Sequence, residues 1–230
     1  MIWVCGDTHG DIDFDKVEEF FEILKECREI TKNDYLIILG DVGVCWDGGI
    51  TDSVVQGLMQ ALPCTVLWLD GNHENFDEIE QYPVVEWHGG NVQYIRENII
   101  HLMRGQVYEI DGKRFFVFGG GNSIDKRMRV PHVSWWTQEM PSEEEYEEGW
   151  RNLEKVGYRV DYVLTHTCPE YIAHMLVTNV YPGEGELQQY FAELSQKIDF
   201  EVWYFGHWHV DWRKEKFRCL WNDIEVIATM

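Results

Sequence analysis

Residues 64–74 read Cys64-Thr65-Val66-Leu67-Trp68-Leu69-Asp70-Gly71-Asn72-His73-Glu74. The run from Cys64 to Leu69 is apolar without alternation. That predicts a strand covered on both faces, as in a parallel sheet. Gly71 then turns the chain and presents Asn72, His73 and Glu74 together at the strand's carboxyl end. In open α/β sheets ligands and chemistry collect outside those ends.

The segments before this stretch repeat its grammar. Ile2–Cys5 predicts a first strand, which breaks at Gly6-Asp7-Thr8-His9-Gly10-Asp11. Phe14, Val17, Phe20, Phe21 and Leu24 fall on one helical face. Residues 34–39 predict a second strand ending in Gly40-Asp41, and Val54, Val55, Leu58, Met59 and Leu62 mark a helix over about 52–62. Strand, helix, strand, helix, strand argues for a parallel sheet with crossover helices. Beyond it, short β-like runs over 92–95, 99–102, 106–110 and 114–118 predict a second, largely antiparallel sheet. Asp111-Gly112 is a two-residue hairpin signal. The loop Gly119-Gly120-Gly121-Asn122-Ser123 leads into the basic stretch Lys126-Arg127-Met128-Arg129. Ser142-Glu143-Glu144-Glu145 predicts a capping box opening a helix to about 156. Later strands over 160–164 and 200–205 end in Thr165-His166 and Gly206-His207-Trp208-His209, with an amphipathic helix through Leu187, Tyr190, Phe191 and Leu194 between them. Two β-like runs, 215–220 and 223–227, close the chain. No linker or repeat interrupts residues 1–230, so one domain is expected.

Composition narrows the function classes. The net charge is −22. Such a surface repels phosphate backbones and anionic lipid, which argues against non-specific nucleic-acid binding. An acidic chain can still handle a phosphate ester where metal ions supply the positive charge. The six cysteines form no Cys-x-x-Cys pair, so reduced, buried thiols are expected. The apolar start at residues 2–5 is too short for a signal peptide, no run approaches a membrane span, and a cytoplasmic location follows as the expectation.

The groups that leave the strand ends form a pattern: Asp7 and His9, Asp41, Asn72 and His73, His166, then His207 and His209. One Asp after a strand is ordinarily a cap or turn residue. A lone His is ordinarily satisfied on the surface or in the core, and His88, His101, His132 and His174 are read that way. Five strand ends that all carry metal-competent side chains exceed what turn chemistry supplies, so a metal site is expected. Imidazole, carboxylate and amide oxygen suit Mn, Fe or Zn better than an all-oxygen Mg or Ca site. The set exceeds what one ion needs, and two ions sharing a bridging carboxylate use it economically.

Gly6-Asp7-Thr8-His9-Gly10, Gly40-Asp41, Gly71-Asn72-His73-Glu74, Thr165-His166 and Gly206-His207-Trp208-His209 stand in the order found in the calcineurin-like metallophosphoesterases, which the chain resembles over residues 6–209. The resemblance implies a four-layer αββα sandwich, two mixed β-sheets flanked by helices. It implies that Asp7, His9 and His209 hold one ion, that Asn72, His166 and His207 hold the other, and that Asp41 bridges them. His73 would be no ligand and would face the substrate, as general acid for the leaving alkoxide or as a donor to a non-bridging oxygen. Two dications about 3.5–4 Å apart clamp the oxygens of an in-line phosphoryl displacement and turn a water shared between them into the nucleophile. Hydrolysis of a phosphomonoester or phosphodiester follows, the substrate being a small molecule, a nucleotide or a phosphoprotein. A nuclease and a catalytically silent, metal-bound scaffold are the rival readings.

One stretch departs from the family pattern. Protein phosphatases of this kind follow the Gly-Asp of strand two with a second Asp and an Arg, whereas here Gly40-Asp41 runs into Val42-Gly43-Val44-Cys45-Trp46. The Asp that orients the catalytic His and the Arg that grips phosphate are both missing there. Lys126, Arg127 and Arg129, the two arginines first, are candidates to replace that Arg, against the plainer reading of a basic surface loop. Trp46, Trp135 and Trp136 are candidates to wall a pocket, against plain packing.

Overall fold

In the computed structural model, residues 1–176 and 185–228 are described. The first strands are β1 (Ile2–Cys5), β2 (Tyr35–Ile38) and β3 (Thr65–Trp68), separated by α1 (Asp15–Cys27) and α2 (Ile50–Ala61). All three strands are buried along their length apart from half-buried Tyr35, the outcome their unbroken apolar runs predict. They pair in parallel, with Trp3 beside Leu36 and Leu36 beside Val66. A short α3 (Phe76–Ile79), capped by the Asn75 side chain, follows the central motif.

The middle of the chain does not build a sheet of its own. β4 (Val84–Trp87), β5 (Gly90–Arg96) and β6 (Ile99–Leu102) extend the first sheet, and β6 pairs in parallel with β3. Only β7 (Gln106–Ile110) and β8 (Lys113–Phe118) start the second sheet, joined by the Asp111-Gly112 turn with both residues at positive φ. Local runs specify strands, but the edge a strand joins is set by long-range pairing. β9 (Tyr162–Thr165), β10 (Val202–Phe205), β11 (Trp212–Lys214) and β12 (Phe217–Cys219) complete that sheet, and β13 (Ile224–Ala228) returns to pair with β1. The strand orders are β13-β1-β2-β3-β6-β5-β4 and β11-β12-β10-β9-β8-β7. Both sheets are mixed. The second is parallel through β8, β9, β10 and β12, not largely antiparallel.

Three apolar clusters define four layers. Val4, Ile37, Leu67 and Ile100 meet Tyr108, Phe115, Val117 and Leu164 between the sheets. The outer face of the first sheet, with Trp3, Leu36 and Trp68, packs on Phe14, Val17, Phe21, Val55 and Met59 of α1 and α2 and their flanks. The outer face of the second, with Phe116, Phe118, Val163 and Trp203, is covered by α4 (Glu143–Lys155), α5 (Glu170–Leu176) and α6 (Gly185–Lys197). The Ser142–Glu145 capping box is present at the start of α4. All six cysteines are free; five are buried and Cys27 is exposed on α1. No helix among the described residues is long and apolar enough to cross a membrane.

Candidate metal centre

The sheet order puts β1, β2 and β3 side by side in one layer and β9 and β10 side by side in the other. The loops after all five strands therefore converge. Asp7, Asp41, Asn72 and His166 are buried, with His166 fully enclosed. Four residues of this rim, His9, Asp41, His207 and His209, hold positive φ. That conformation costs a non-glycine residue on the order of 1 kcal/mol or more and collects at functional sites. The carboxylates press so closely on two glycines that a side chain there is excluded. A Cβ on Gly71 would lie 2.1 Å from Asp41 Oδ1, and one on Gly206 would lie 2.2 Å from Asp7 Oδ1.

The outward hydrogen bonds fix which atom each ligand type turns inward. His166 donates from Nδ1 to the Leu39 carbonyl at 2.6 Å. Its Nε2 then stands 3.2 Å from Asn72 Oδ1, 3.2 Å from His207 Nδ1 and 3.4 Å from Asp41 Oδ1. Asn72 spends its amide N–H on Ser123 Oγ at 3.1 Å, which leaves its carbonyl oxygen facing the cluster. His9 Nδ1 lies 2.8 Å from Asp13 Oδ2, and its Nε2 faces Asp41 Oδ2 at 3.6 Å. The His207 backbone N–H donates to Asp7, and His209 Nε2 sits 3.1 Å from Asp7 Oδ2. The ligand atoms of Asp7, His9 and His209 lie within 4.8 Å of one another, as do those of Asp7, Asp41 and His166.

The electrostatics fit a cation. Burial alone would raise the Asp41 carboxyl, but the imidazoles of His166, His9 and His73 hold it well below the carboxylate range. Asp7 is lowered likewise, with burial opposed by His209 and His166. Burial disfavours charge on His9 and His166, yet the carboxylates outweigh it and carry His9 up to about 9 and His166 up to about 10. This field draws positive charge, and the inward lone pairs are nitrogen and oxygen in the mixture that borderline divalent ions prefer.

His73 stands at the edge of the cluster. Its backbone N–H donates to Asp41 Oδ1 at 2.8 Å, and its Nε2 lies 4.0 Å from Asp41 Oδ2. Arg129 Nη2 approaches that Nε2 at 3.4 Å. Arg129 is itself held by Asp125, at 2.7 Å from its Nε, and by the Ser134 carbonyl, at 3.1 Å from Nη1. Burial and then the positive charges of Arg129, His9 and His166 hold the His73 imidazole below its ordinary value, against the pull of Asp41. Glu74 turns away; it is buried, and its Oε1 accepts the Val42 N–H at 2.8 Å, tying the β3 loop to the β2 loop.

Family comparison then fits this geometry. A family model, calcineurin-like phosphoesterase, matches residues 1–211. The chain belongs to the calcineurin-like phosphoesterases. Family members use divalent metal ions. A search of curated proteins gave no significant match. Among solved structures, the chain resembles a Staphylococcus aureus protein described as a 5′-nucleotidase, at 16% identity and TM-score 0.51, over 96% of this chain and 48% of that one. It also resembles the phosphopantetheinyl hydrolase of Mycobacterium tuberculosis, at 17% identity and TM-score 0.50, over 96% and 89% of the two chains. The chain thus spans about half the length of the first of these. Both likenesses are of fold.

The sequence-derived residues Asp7, His9, Asp41, Asn72, His73, His166, His207 and His209 all meet at this centre. Of the two arginines, Arg129 reaches it, while Arg127 is exposed and lines neither adjoining cavity. Trp46 lines a cavity beside His73, Trp136 is core, and Trp135 lines neither cavity. His101 is buried against Gln93 and Asp70, away from the centre. Sequence reading missed Asp13 and Asp125. Asp13 lies four residues beyond His9, a helix-like spacing that is the only local signal for it. Asp125 lies in a loop with none.

Proposed function

We propose that this chain is a single-domain phosphoesterase that uses two divalent ions, Mn, Fe or Zn, to hydrolyse phosphomonoesters or phosphodiesters. One ion would rest on Asp7, His9 and His209, the other on Asn72, His166 and His207, and Asp41 would be shared. The observation that carries the reading is the inward turn of His166 Nε2, Asn72 Oδ1 and His207 Nδ1 onto one point, beside two buried carboxylates. When bound, such ions supply Lewis acidity toward phosphoryl oxygens and an acidified water.

The protein's own groups do the rest. Leu39 and Asp13 fix the rings of His166 and His9 through their outer nitrogens, the kind of support that typically matters 10–100-fold in metal affinity. Arg129 directs its free N–H edge toward the space before His73, where a phosphoryl oxygen would be gripped. It is the one Arg or Lys lining either adjoining cavity among the described residues. In its imidazolium form His73 gives its Nε2 proton to the leaving alkoxide and becomes neutral imidazole, a transfer that typically contributes 10²–10⁴-fold. In this scheme Arg129, held by Asp125 in the loop after β8, supplies the grip of the missing Arg of the strand-two loop. A phosphorylated small molecule, a nucleotide or a phosphoprotein would be the substrate, and the protein acts in the cytoplasm.

The test is hydrolysis of phenyl phosphate and of bis(p-nitrophenyl) phosphate by protein stripped with chelator and then reloaded with Mn. Turnover of at least one ester that disappears on chelation and returns with metal is expected. A folded, Mn-loaded protein that turns over neither ester sinks the proposal.

A further inference from the structure

Two cavities open on either side of the His73–Arg129 pair, and they differ in chemistry. One, of about 450 Å³, is lined by Asn72, Asn122, Ser123, Asp125 and His207, with Trp208 at its side. The other, of about 490 Å³, runs from His73 past Trp46, Gly43, Gly10, Thr51 and Ile12. Both share Asp41, His73 and Arg129. The first mixes amide, hydroxyl and carboxylate groups with the Trp208 indole and the exposed Ile124. The second offers an indole face, an isoleucine and glycine backbone, with its charged groups gathered at the catalytic edge and at Asp11.

The second cavity is also built rigidly. Asp52 is buried and accepts the backbone N–H groups of Trp46 at 2.9 Å, Asp47 at 3.1 Å and Gly48 at 2.9 Å. Asn75 donates to the Trp46 carbonyl at 3.2 Å, and the Asn75 N–H bonds the Cys45 carbonyl at 2.8 Å. The Trp46 loop is thereby fastened to the segment that carries His73, and the two ring centroids lie 6.2 Å apart. Its floor is main chain: a Cβ on Gly43 would lie 2.5 Å from the Gly10 nitrogen, so the two backbones touch with no side chain between. At the mouth Ile12 is 77% exposed, and Ile50, beside the lining Thr51, is 84% exposed. Fixed indole on one wall and smooth backbone below describe a slot for a flat group, and ligand sites commonly enclose about 300–1,000 Å³.

Resting on the phosphoesterase reading, we propose that this slot is the alcohol subsite, and that it selects phosphoesters of planar, ring-bearing apolar alcohols over those of small polar alcohols. Trp46 is the specificity-determining residue and Ile12 closes the outer end. With the phosphoryl group at Arg129 and His73, the ring lies along the Trp46 indole, while any second substituent of a diester points into the first cavity.

Binding separates this idea from catalysis. Calorimetric titration compares 1-naphthylmethylphosphonate with methylphosphonate on the Mn-loaded protein. The naphthyl compound is expected to bind at least about tenfold more tightly, about 1.4 kcal/mol. That ratio falls towards one in Trp46→Ala and is largely restored in Trp46→Phe. Ile12→Ser, a change at an exposed position, lowers it partially without threatening the fold. Dodecylphosphonate tests shape: affinity equal to that of the naphthyl compound overturns the choice of a planar group. Equal affinities of the naphthyl and methyl compounds, in protein that hydrolyses phenyl phosphate, overturn the subsite and leave phosphoester hydrolysis standing. An intact affinity ratio in protein that hydrolyses no ester upholds the slot and defeats the hydrolase reading instead.

Discussion

Replacing Arg129 by methionine removes the guanidinium and keeps most of the stem. Two of its edges are already committed, Nε to Asp125 at 2.7 Å and Nη1 to the Ser134 carbonyl at 3.1 Å. That leaves Nη2, 3.4 Å from His73 Nε2, as the edge a phosphoryl oxygen can use. A hydrogen bond to a charged partner is worth about 1.5–3 kcal/mol, which corresponds to roughly 10- to 150-fold in rate. Bare Coulomb attraction at about 4 Å and an effective dielectric near 20 gives about 4 kcal/mol. The smaller figure is preferred, because the side chain is 17% exposed and an approaching phosphate is solvated until it docks. Arg129→Met should therefore lower kcat/KM for phenyl phosphate by about 10- to 100-fold. Metal content by plasma mass spectrometry should stay at the wild-type value, since Arg129 bonds none of the proposed ligand atoms. In the metal-free protein, the His73 pKa followed by NMR should rise, because one of the positive charges that depress it is gone. Arg127→Met, at an exposed position outside both cavities, should change none of these. The reasoning fails if Arg129→Met stays within twofold of wild type, or if Arg127→Met suffers the larger loss.

Asp41→Asn should weaken binding of both ions and abolish hydrolysis. Its two oxygens face His166 and His9 separately, so metal titration should show both sites affected and not one. His73→Asn should keep its metal and lose about 10²–10⁴-fold in kcat for an alkyl phosphate; an emptied metal site in this variant would overturn the role given to His73. Arg104→Ala strands the buried Asp70 carboxylate, which Arg104 contacts at 2.7 Å through Nε, and should cost about 3–5 kcal/mol in urea unfolding. The same pair sets an acid limit. Burial opposes ionisation of Asp70, but Arg104 and His101 hold its carboxyl at about 2 against a free value of 3.8. A depressed carboxyl stabilises the fold above the unfolded pKa and loses that contribution as pH falls through the folded one. About 2 kcal/mol should thus be present above pH 4 and fade towards pH 2, and a wild-type stability curve flat between pH 4 and 2 would contradict it.

Much of the centre was legible in the chain because its polar residues obey a local rule. Each follows a short apolar run and a turn, so Asp7, Asp41, Asn72, His166 and His207 could be picked out one strand at a time. Their convergence required only that the strands lie parallel in the sheets, which the strand-helix alternation implies for the first three. What local pattern does not encode is the partner across space. The hydrophobic runs at 92–102 look the same whether they begin a new sheet or extend an old one, and pairing with β3 decided for the latter. The two runs of the tail separate for the same reason, β12 joining β10 and β13 joining β1.

The support around His73 belongs to this second class. Arg129, beside His73, and Asp125, which holds Arg129, lie more than fifty residues from His73, in a loop with no periodicity. Arg127 and Arg129 were equivalent in sequence, and only the path of that loop turns one inward and the other to solvent. Trp46, Trp135 and Trp136 were likewise indistinguishable until packing buried one, left one outside the cavities and set one beside His73. The sequence by itself determined which metal-competent side chains leave the strand ends and the parallel αβ frame, because backbone turns and apolar runs are local. The tertiary structure decided sheet membership, which arginine stands beside His73 and the walls of the Trp46 cavity, because those depend on contacts between segments far apart in the chain.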